Sequence, residues 1–319
     1  MNRREYFSRT GIYKVNHFGT LHLGHTGAKF KSKLDALLGS PSRRACQVRG
    51  EACCHRRTHT PRGYLGMWII EYRELIKILT ISDLKVKYQS SVLGFAWSLL
   101  NPLLMMLVLY LVFSNVFKAN QDQFALYLLI GIISWRFLAN GSSASMGSIV
   151  GKPSLVTKIY IPRQVLVISN VLSYFISSIL EFLVLVPLII LLGAGLSYYI
   201  LLFPLIHLIY FTIVYGISLI LASLYVYYRD LNQIWEVLIQ IGFFLSPIVY
   251  PLNTVPPQYL KYYMLNPITA LVQMYRDVLL YHRPPSLEST VLTVGAGLIL
   301  MAAGSFIFKR LERRFAEEI

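Results

Sequence analysis

From Leu93 to Phe308 the chain is a succession of apolar runs, most of them twenty residues or longer. A helix rises about 1.5 Å per residue, so about 20 apolar residues cross the hydrocarbon of a bilayer. No soluble core absorbs this much apolar sequence: 55% of the 319 residues are hydrophobic and 14% charged, whereas soluble domains carry roughly 25% charged residues. The class is therefore an all-α integral membrane protein. Six spans are expected: Leu93–Phe117, Phe124–Val150, Val165–Leu192, Ile200–Tyr228, Leu231–Tyr250 and Thr290–Phe308. The second turns polar in its later half (Asn140, Ser142, Ser143, Ser145). The third is interrupted by Glu181 and Pro187.

The segment that leads into the first span differs in kind. Tyr72, Leu75, Ile76 and Leu79 recur at helical spacing, with Glu71, Arg73, Glu74 and Lys77 on the other side. Asp83–Gln89 alternates polar and apolar, so period alone would allow a strand. No turn residue separates it from the helix, and it is read as helical. Residues 67–92 form an amphipathic interfacial helix, with Lys85 and Lys87 placed to meet anionic headgroups. Asp83, Tyr88, Gly94 and Trp97 mark its passage into the membrane.

Residues 1–66 are a separate domain. They carry 13 of the 30 Lys/Arg, 3 of the 15 Asp/Glu and all three cysteines. The net charge of +15 is thus concentrated in one leader, which argues against a nucleic-acid surface. There is no h-region, so this is not a secretory signal. Cys46, Cys53, Cys54, His55 and His59 lack the paired spacing of a zinc site, because Cys53 and Cys54 are adjacent. The leader reads as a basic tail, disordered or non-native, with translation starting at Met67. Residues 93–319, the membrane domain, hold no cysteine and rely on helix packing.

Orientation follows Lys/Arg in short loops. Lys152, Lys158 and Arg163 lie between spans two and three, Arg229 between four and five, and Lys309, Arg310, Arg313 and Arg314 after span six. The opposite side has Lys118 and an uncharged Gly193–Tyr199. Both termini are expected in the cytoplasm, though Lys261, Arg276 and Arg283 in the long loop Pro251–Ser289 cut against this. That loop is rich in proline yet apolar between prolines, and Ile268–Leu280 is too short to span. It is expected to dip in and return as a re-entrant outer segment, with Tyr250, Asn266, Pro267 and Arg276 as its marked residues.

Catalytic chemistry is not apparent. Gly147–Ser154 has three residues between its glycines and Pro after its Lys, whereas a phosphate loop needs four and then Ser or Thr. No metal or triad spacing occurs. Ionisable groups inside spans are functional candidates by default; here they are Arg136 and Glu181, with Trp135 beside them, then His207 near a span end. Glu236 lies within two turns of Arg229-Asp230 and is expected to cap or pair there. Tyr225, Tyr227, Tyr228, Tyr259, Tyr262 and Tyr263 suit interfacial belts.

Several stretches together resemble the ABC-2-type permeases that export polysaccharide. SDLKVKYQSSVLGFAWSLLNP resembles their opening segment, and GIISWRFLANG with KPSLVTKIYIPR their second span and cytoplasmic coupling loop. That loop usually ends Lys-x-x-Phe-Pro; here Ile161 replaces Phe between Lys158 and Pro162. YYRDLNQIWEVLIQIGFFLSPIVYP and LNPITALVQMYRDVLL resemble the last two blocks. The likeness runs from Met67 to the C-terminus and has no counterpart for 1–66. Within that family the chain resembles the permeases of O-antigen, capsule and teichoic acid exporters.

The resemblance implies a homodimer of six-span subunits in the inner membrane, joined to two copies of a separate ATPase that binds ATP and Mg. It implies a channel for a lipid-linked glycan at the dimer interface, and no cofactor in this chain. Lys152, Pro153, Lys158, Tyr160, Pro162 and Arg163 would form the ATPase-coupling loop. A permease of the same fold for a drug or small lipid is the alternative. A membrane-embedded transferase would need a carboxylate cluster or reactive histidine, and a secondary transporter an internal repeat.

Overall fold

The computed structural model describes residues 13–15, 21–23, 71–89, 94–115, 123–158, 161–193, 195 and 197–318. The chain divides into two compact units, Met1–Pro61 and Arg62–Ile319. In the first, β1 (Tyr13–Val15) pairs antiparallel with β2 (Leu21–Leu23), Tyr13 opposite Leu23. Each strand alternates apolar and polar residues, the period of two that a strand requires. This hairpin departs from an all-helical chain. The expectations for Cys46, Cys53, Cys54, His55 and His59, and for a disordered or non-native leader, otherwise lie outside the described residues.

The second unit is helical among its described residues. α1 is Arg73–Gln89, α2 Phe95–Asn115, α3 Phe124–Met146, α4 Pro153–Lys158 and α5 Gln164–Leu191. A 3₁₀ turn at Tyr198–Leu202 leads into α6, Phe203–Tyr225. α7 (Leu231–Leu245), α8 (Pro257–Leu265), α9 (Pro267–Leu279), α10 (Leu287–Leu311) and α11 (Phe315–Glu318) follow. Five of these segments are long and apolar enough to cross a membrane: Ala96–Ser114, Phe124–Met146, Gln164–Leu191, Tyr198–Tyr225 and Leu287–Arg314. The protein is a multi-pass membrane protein.

The fifth expected span differs. α7 has 15 residues, about 22 Å of helix, against a hydrocarbon core of about 30 Å. Pro247 is the cause. A proline disfavours helical backbone in the residue before it, and Ser246 is extended, with φ −88° and ψ 142°. Pro187, by contrast, does not interrupt the third span. It sits four residues before the end of α5, so the hydrogen bond it removes falls in the last turns of the helix.

α3 is the hub, with 78% of its apolar window buried, whereas α2 has 6%. α5 packs antiparallel to α3: Asn170 meets Ser145, and Glu181 meets Arg136. α6 runs in the same direction as α3, with Tyr210 Oη donating to the Ser134 carbonyl at 2.8 Å and Val214 against Gly141. α10 runs alongside α6 in the same direction over glycines. A Cβ on Gly216 would lie 2.6 Å from the Leu300 backbone, and one on Gly304 would lie 2.5 Å from the Gly216 carbonyl oxygen. Backbones meet there because no side chain intervenes, the usual device of close helix pairs in lipid.

α1 buries Leu75, Ile76, Leu79 and Thr80. Thr80 Oγ1 reaches the Ser169 carbonyl, and eight residues on, Tyr88 Oη reaches Ser177 Oγ. α1 therefore follows α5 for two turns. It is packed on a span, which goes beyond the expected helix resting on headgroups.

Candidate functional site

Two polar constellations gather the residues singled out by sequence. The first lies around α4, the short helix between α3 and α5. Lys152 donates to both carboxylate oxygens of Asp83, at 2.7 and 3.0 Å. A lysine at the end of one span is thus tied to the helix that precedes the first span. At the other end of the loop, the Arg163 backbone N–H donates to Glu312 Oε1 at 3.1 Å, and its guanidinium donates to the Glu312 carbonyl. The guanidinium also lies 5.8 Å from the Phe315 ring centroid. Pro153 opens α4, Pro162 ends the link, and Val156 and Ile161 turn inward. The side chain of Lys158, and Tyr160 altogether, lie outside the described residues. The loop is therefore pinned on one side to α1 and on the other to the turn after α10. Sequence reading missed Glu312 and Phe315, because nothing in a charged C-terminal stretch announces a distant partner.

The second constellation sits where α1, α2, α3 and α5 converge. Arg136 Nη1 donates to Asn101 Oδ1 at 2.8 Å, and its Nε lies 3.7 Å from the buried Glu181 carboxylate. Lys87 donates to Ser177 Oγ at 3.2 Å and lies 4.1 Å from the Tyr174 ring centroid, a cation–π contact. Lys87 therefore turns toward α5 and away from the headgroups expected for it; Lys85 is exposed, as a headgroup contact requires. Ser98 Oγ donates to Tyr88 Oη at 3.4 Å. A cavity of about 10 Å³ lies among Lys87, Arg136, Asn140, Tyr174 and Glu181, enough for one water. Trp97 is exposed on α2, and Gly94 takes the left-handed backbone (φ 51°) that glycine tolerates.

Trp135 does not open onto this cavity. It is buried against α7, where a Cβ on Gly242 would fall 2.8 Å from its ring. Trp235 Nε1 donates to Ser142 Oγ at 3.0 Å lower in the same seam. Glu236 is exposed and has no ion-pair partner among the described residues, contrary to the pairing expected near Asp230.

The outer residues hold the turn beyond α7. Arg276 is fully buried and has no carboxylate partner among the described residues. Its guanidinium donates to the Pro247 carbonyl (2.7 Å), the Ile248 carbonyl (3.0 Å) and Tyr127 Oη (2.7 Å), and stacks on the Tyr127 ring at 3.4 Å. Gly131 leaves room for it: a Cβ there would lie 2.9 Å from Arg276 Nη2. Tyr250 Oη donates to the Phe244 carbonyl at 3.1 Å, satisfying an acceptor at the end of α7. Asn266 caps α9 by accepting from the Ile268 N–H, with Pro267 in the first helical position. His207 bonds Tyr275 Oη at 2.7 Å inside a cage of Phe137, Phe175 and Phe203. Tyr275 and Arg276 thus anchor α9 from adjacent positions.

Known proteins are similar to this chain in sequence. The family model described as ABC-2 type transporter matches residues 74–280. The O-antigen export system permease protein RfbA of Myxococcus xanthus is 32% identical over 257 residues, covering 79% of this chain and 97% of that protein. The RfbA protein of Klebsiella pneumoniae is 29% identical over 250 residues, 76% of this chain and 94% of that one. The polysialic acid transport protein KpsM of Escherichia coli is 24% identical over 215 residues, 64% and 81% of the two chains. The matched region opens at the second residue of α1 and closes just past α9, taking in both constellations apart from Glu312 and Phe315, and on these grounds the chain belongs to the ABC-2 type transporter family.

Proposed function

We propose that this chain is the membrane-spanning permease subunit of an ABC exporter that moves a lipid-linked polysaccharide of O-antigen or capsule type. The observation that carries the reading is the match to almost the entire length of an O-antigen export permease. Energy comes from a separate ATPase subunit, two copies of which bind ATP and Mg and dock on two copies of this chain. The chain itself is a transport subunit without catalytic residues or a cofactor. It resides in the inner membrane with both termini in the cytoplasm.

Helix directions support six crossings. α6 and α10 run the same way, so the chain between them must return from one side to the other. α7 runs opposite to α3, and the extended Ser246–Tyr250 continues from it. α7 with that extension is the fifth crossing, and α8 and α9 are the re-entrant outer segment, fastened by Arg276, Asn266 and Tyr250. The functional partition is 1–66, 67–92 and 93–319.

The loop from Lys152 to Arg163 is the contact with the ATPase. Lys152, Pro153, Lys158, Tyr160, Pro162 and Arg163 give it shape and charge. Its two anchorages support this role. A push on α4 reaches α1 through Lys152–Asp83 and the C-terminal turn through Arg163–Glu312. Asp83, Lys87 and Tyr88 then carry the displacement to the junction with Gly94, Trp97 and the Arg136–Glu181 pair.

Glycan appearing at the cell surface, measured in cells carrying this chain and its ATPase, tests the reading. Charge reversal at both Lys158 and Arg163 is expected to abolish export while the chain remains inserted. Undiminished export in that double variant would overturn the coupling assignment. Export of a small lipid or drug in place of glycan would overturn the substrate class.

A further inference from the structure

Past Leu311 the backbone of α10 stays helical. It tightens to a 3₁₀ turn over Glu312–Arg314 and relaxes into α11 at Phe315. In a 3₁₀ turn, residues three apart eclipse one another. Glu312 and Phe315 therefore share one side of the turn, and Arg313 and Arg314 lie off it. Burial follows this division: Phe315 is fully buried, and both arginines are exposed.

The inner side is fastened to three parts of the fold. Glu312 Oε1 accepts from the Arg163 N–H at 3.1 Å, and Arg163 is the N-cap of α5, the residue on which the loop after α3 ends. A carboxylate there suits the positive end of a helix. The Phe315 ring meets the Phe308 ring edge-on, with centroids 5.4 Å apart, and lies 6.1 Å from that of Tyr227. Tyr227, just past α6, also donates from Oη to the Leu311 carbonyl at 3.0 Å. α11 lies against α4.

The outer side has no such attachment. Neither Arg313 nor Arg314 makes an ion pair among the described residues. The carboxylate next to them, Glu312, is turned to Arg163. Two adjacent guanidinium groups with no counter-charge of their own suit carboxylates, which the planar fork of arginine binds through two hydrogen bonds. Level along the axis decides where those carboxylates come from. Lys309 and Arg310 are exposed in the last turn of α10, where the span ends and headgroups lie. Arg313 and Arg314 stand about 6 Å further along, level with Arg163 and the loop. α4 exposes Pro153, Ser154 and Thr157 beside them.

We infer that α4 and the turn Glu312–Arg314 make one docking surface for the ATPase subunit, in which Arg313 and Arg314 take carboxylates of that subunit. This rests on the reading of the Lys152–Arg163 loop as the ATPase contact, and extends it to a second piece of chain far away in sequence. Arg163 and Glu312 join the two pieces, so a partner seated on one is in register with the other. The arginines steer and orient that partner, while α4 with its proline and small side chains supplies shape.

The test uses the full chain with a tagged ATPase subunit in its own cells. Ser154, Lys309, Arg313 and Arg314 are replaced one at a time by a photo-crosslinking benzophenone amino acid. Positions 313 and 314 are expected to give the adduct with the ATPase as strongly as position 154, and position 309 none. Separately, Arg313→Glu combined with Arg314→Glu is expected to lower the ATPase recovered with the purified chain about tenfold or more, with the amount of inserted chain unchanged. Arg313→Lys with Arg314→Lys is expected to keep most of it. High salt is expected to shrink the difference, as for exposed charges.

Silence at 313 and 314 while 154 reacts would overturn this inference alone. Silence at 154 as well would take the coupling-loop reading with it. Adducts from 313 and 314 to a second copy of this chain would assign the arginines to a contact between copies and overturn the surface. So would a loss of ATPase seen only when the complex sits in nanodiscs of anionic lipid and absent in neutral lipid, which would assign them to headgroups.

Discussion

α10 and α7 are both attached to the bundle over glycine, yet the two attachments differ in kind. At Gly216 and Gly304 backbone meets backbone, and nothing in the seam can turn aside. At Gly242 the neighbour is the ring of Trp135, and lower down a single hydrogen bond joins Trp235 to Ser142. α7 has no buried residue, while α10 buries Thr293, Gly297, Gly304 and Phe308 among others. Close packing stores its energy in contacts that disappear with small displacements. The α6–α10 pair therefore acts as a fixed beam. α7 is a helix held through side chains alone, Trp135, Trp235 and Tyr250 among them, able to shift against α3 while the rest stays assembled.

The sharpest way to break this contrast is to place bulk in the rigid seam. Gly216→Leu is expected to cost about 3 kcal/mol or more, because the obstacle is the backbone of Leu300. Loss of folded protein in detergent, followed by thermal unfolding, measures it; unchanged stability would mean that α10 is not held as described. Next comes Arg276→Met, which strips the Pro247 and Ile248 carbonyls beyond α7 of their donor. A loss of about 2–3 kcal/mol is expected, with partial recovery in Arg276→Lys. The smallest effect belongs to Trp235→Phe, which removes one hydrogen bond and trims the indole to a single aromatic ring. About 1 kcal/mol is expected from thermal unfolding, with a larger proportional effect on hydrogen exchange in α7 than in α10. Equal exchange in the two helices would erase the distinction between beam and shifting helix.

Much of this architecture was readable from the chain itself. Hydropathy placed five long spans within a few residues, because a helix in lipid must satisfy its own backbone and so writes its length as an apolar run. α7 escaped that logic: its apolar sequence continues through Ser246–Tyr250, but Pro247 stops the helix while leaving hydropathy untouched. Arg136 and Glu181 were visible as charges out of place, and they do meet. Asn101, the partner of Arg136, and Tyr174, whose ring lies under Lys87, carried no such signal. Lys87 was readable as basic but not as turned inward, since the direction of a long side chain depends on a helix that arrives ninety residues later. Glu312 and Phe315 were illegible for the same reason: their meaning lies in a tertiary contact with Arg163.

The loop between α3 and α5 has one anchor near each end of the membrane part, at Asp83 and at Glu312. It therefore behaves as a bridle with two reins. Whatever leans on α4 tugs the first helix and the last turn in a single stroke, and neither can lag without an ion pair or hydrogen bond parting. Probes fixed beside Asp83 and beside Glu312 should report the same event at the same moment, although 228 residues of chain lie between them.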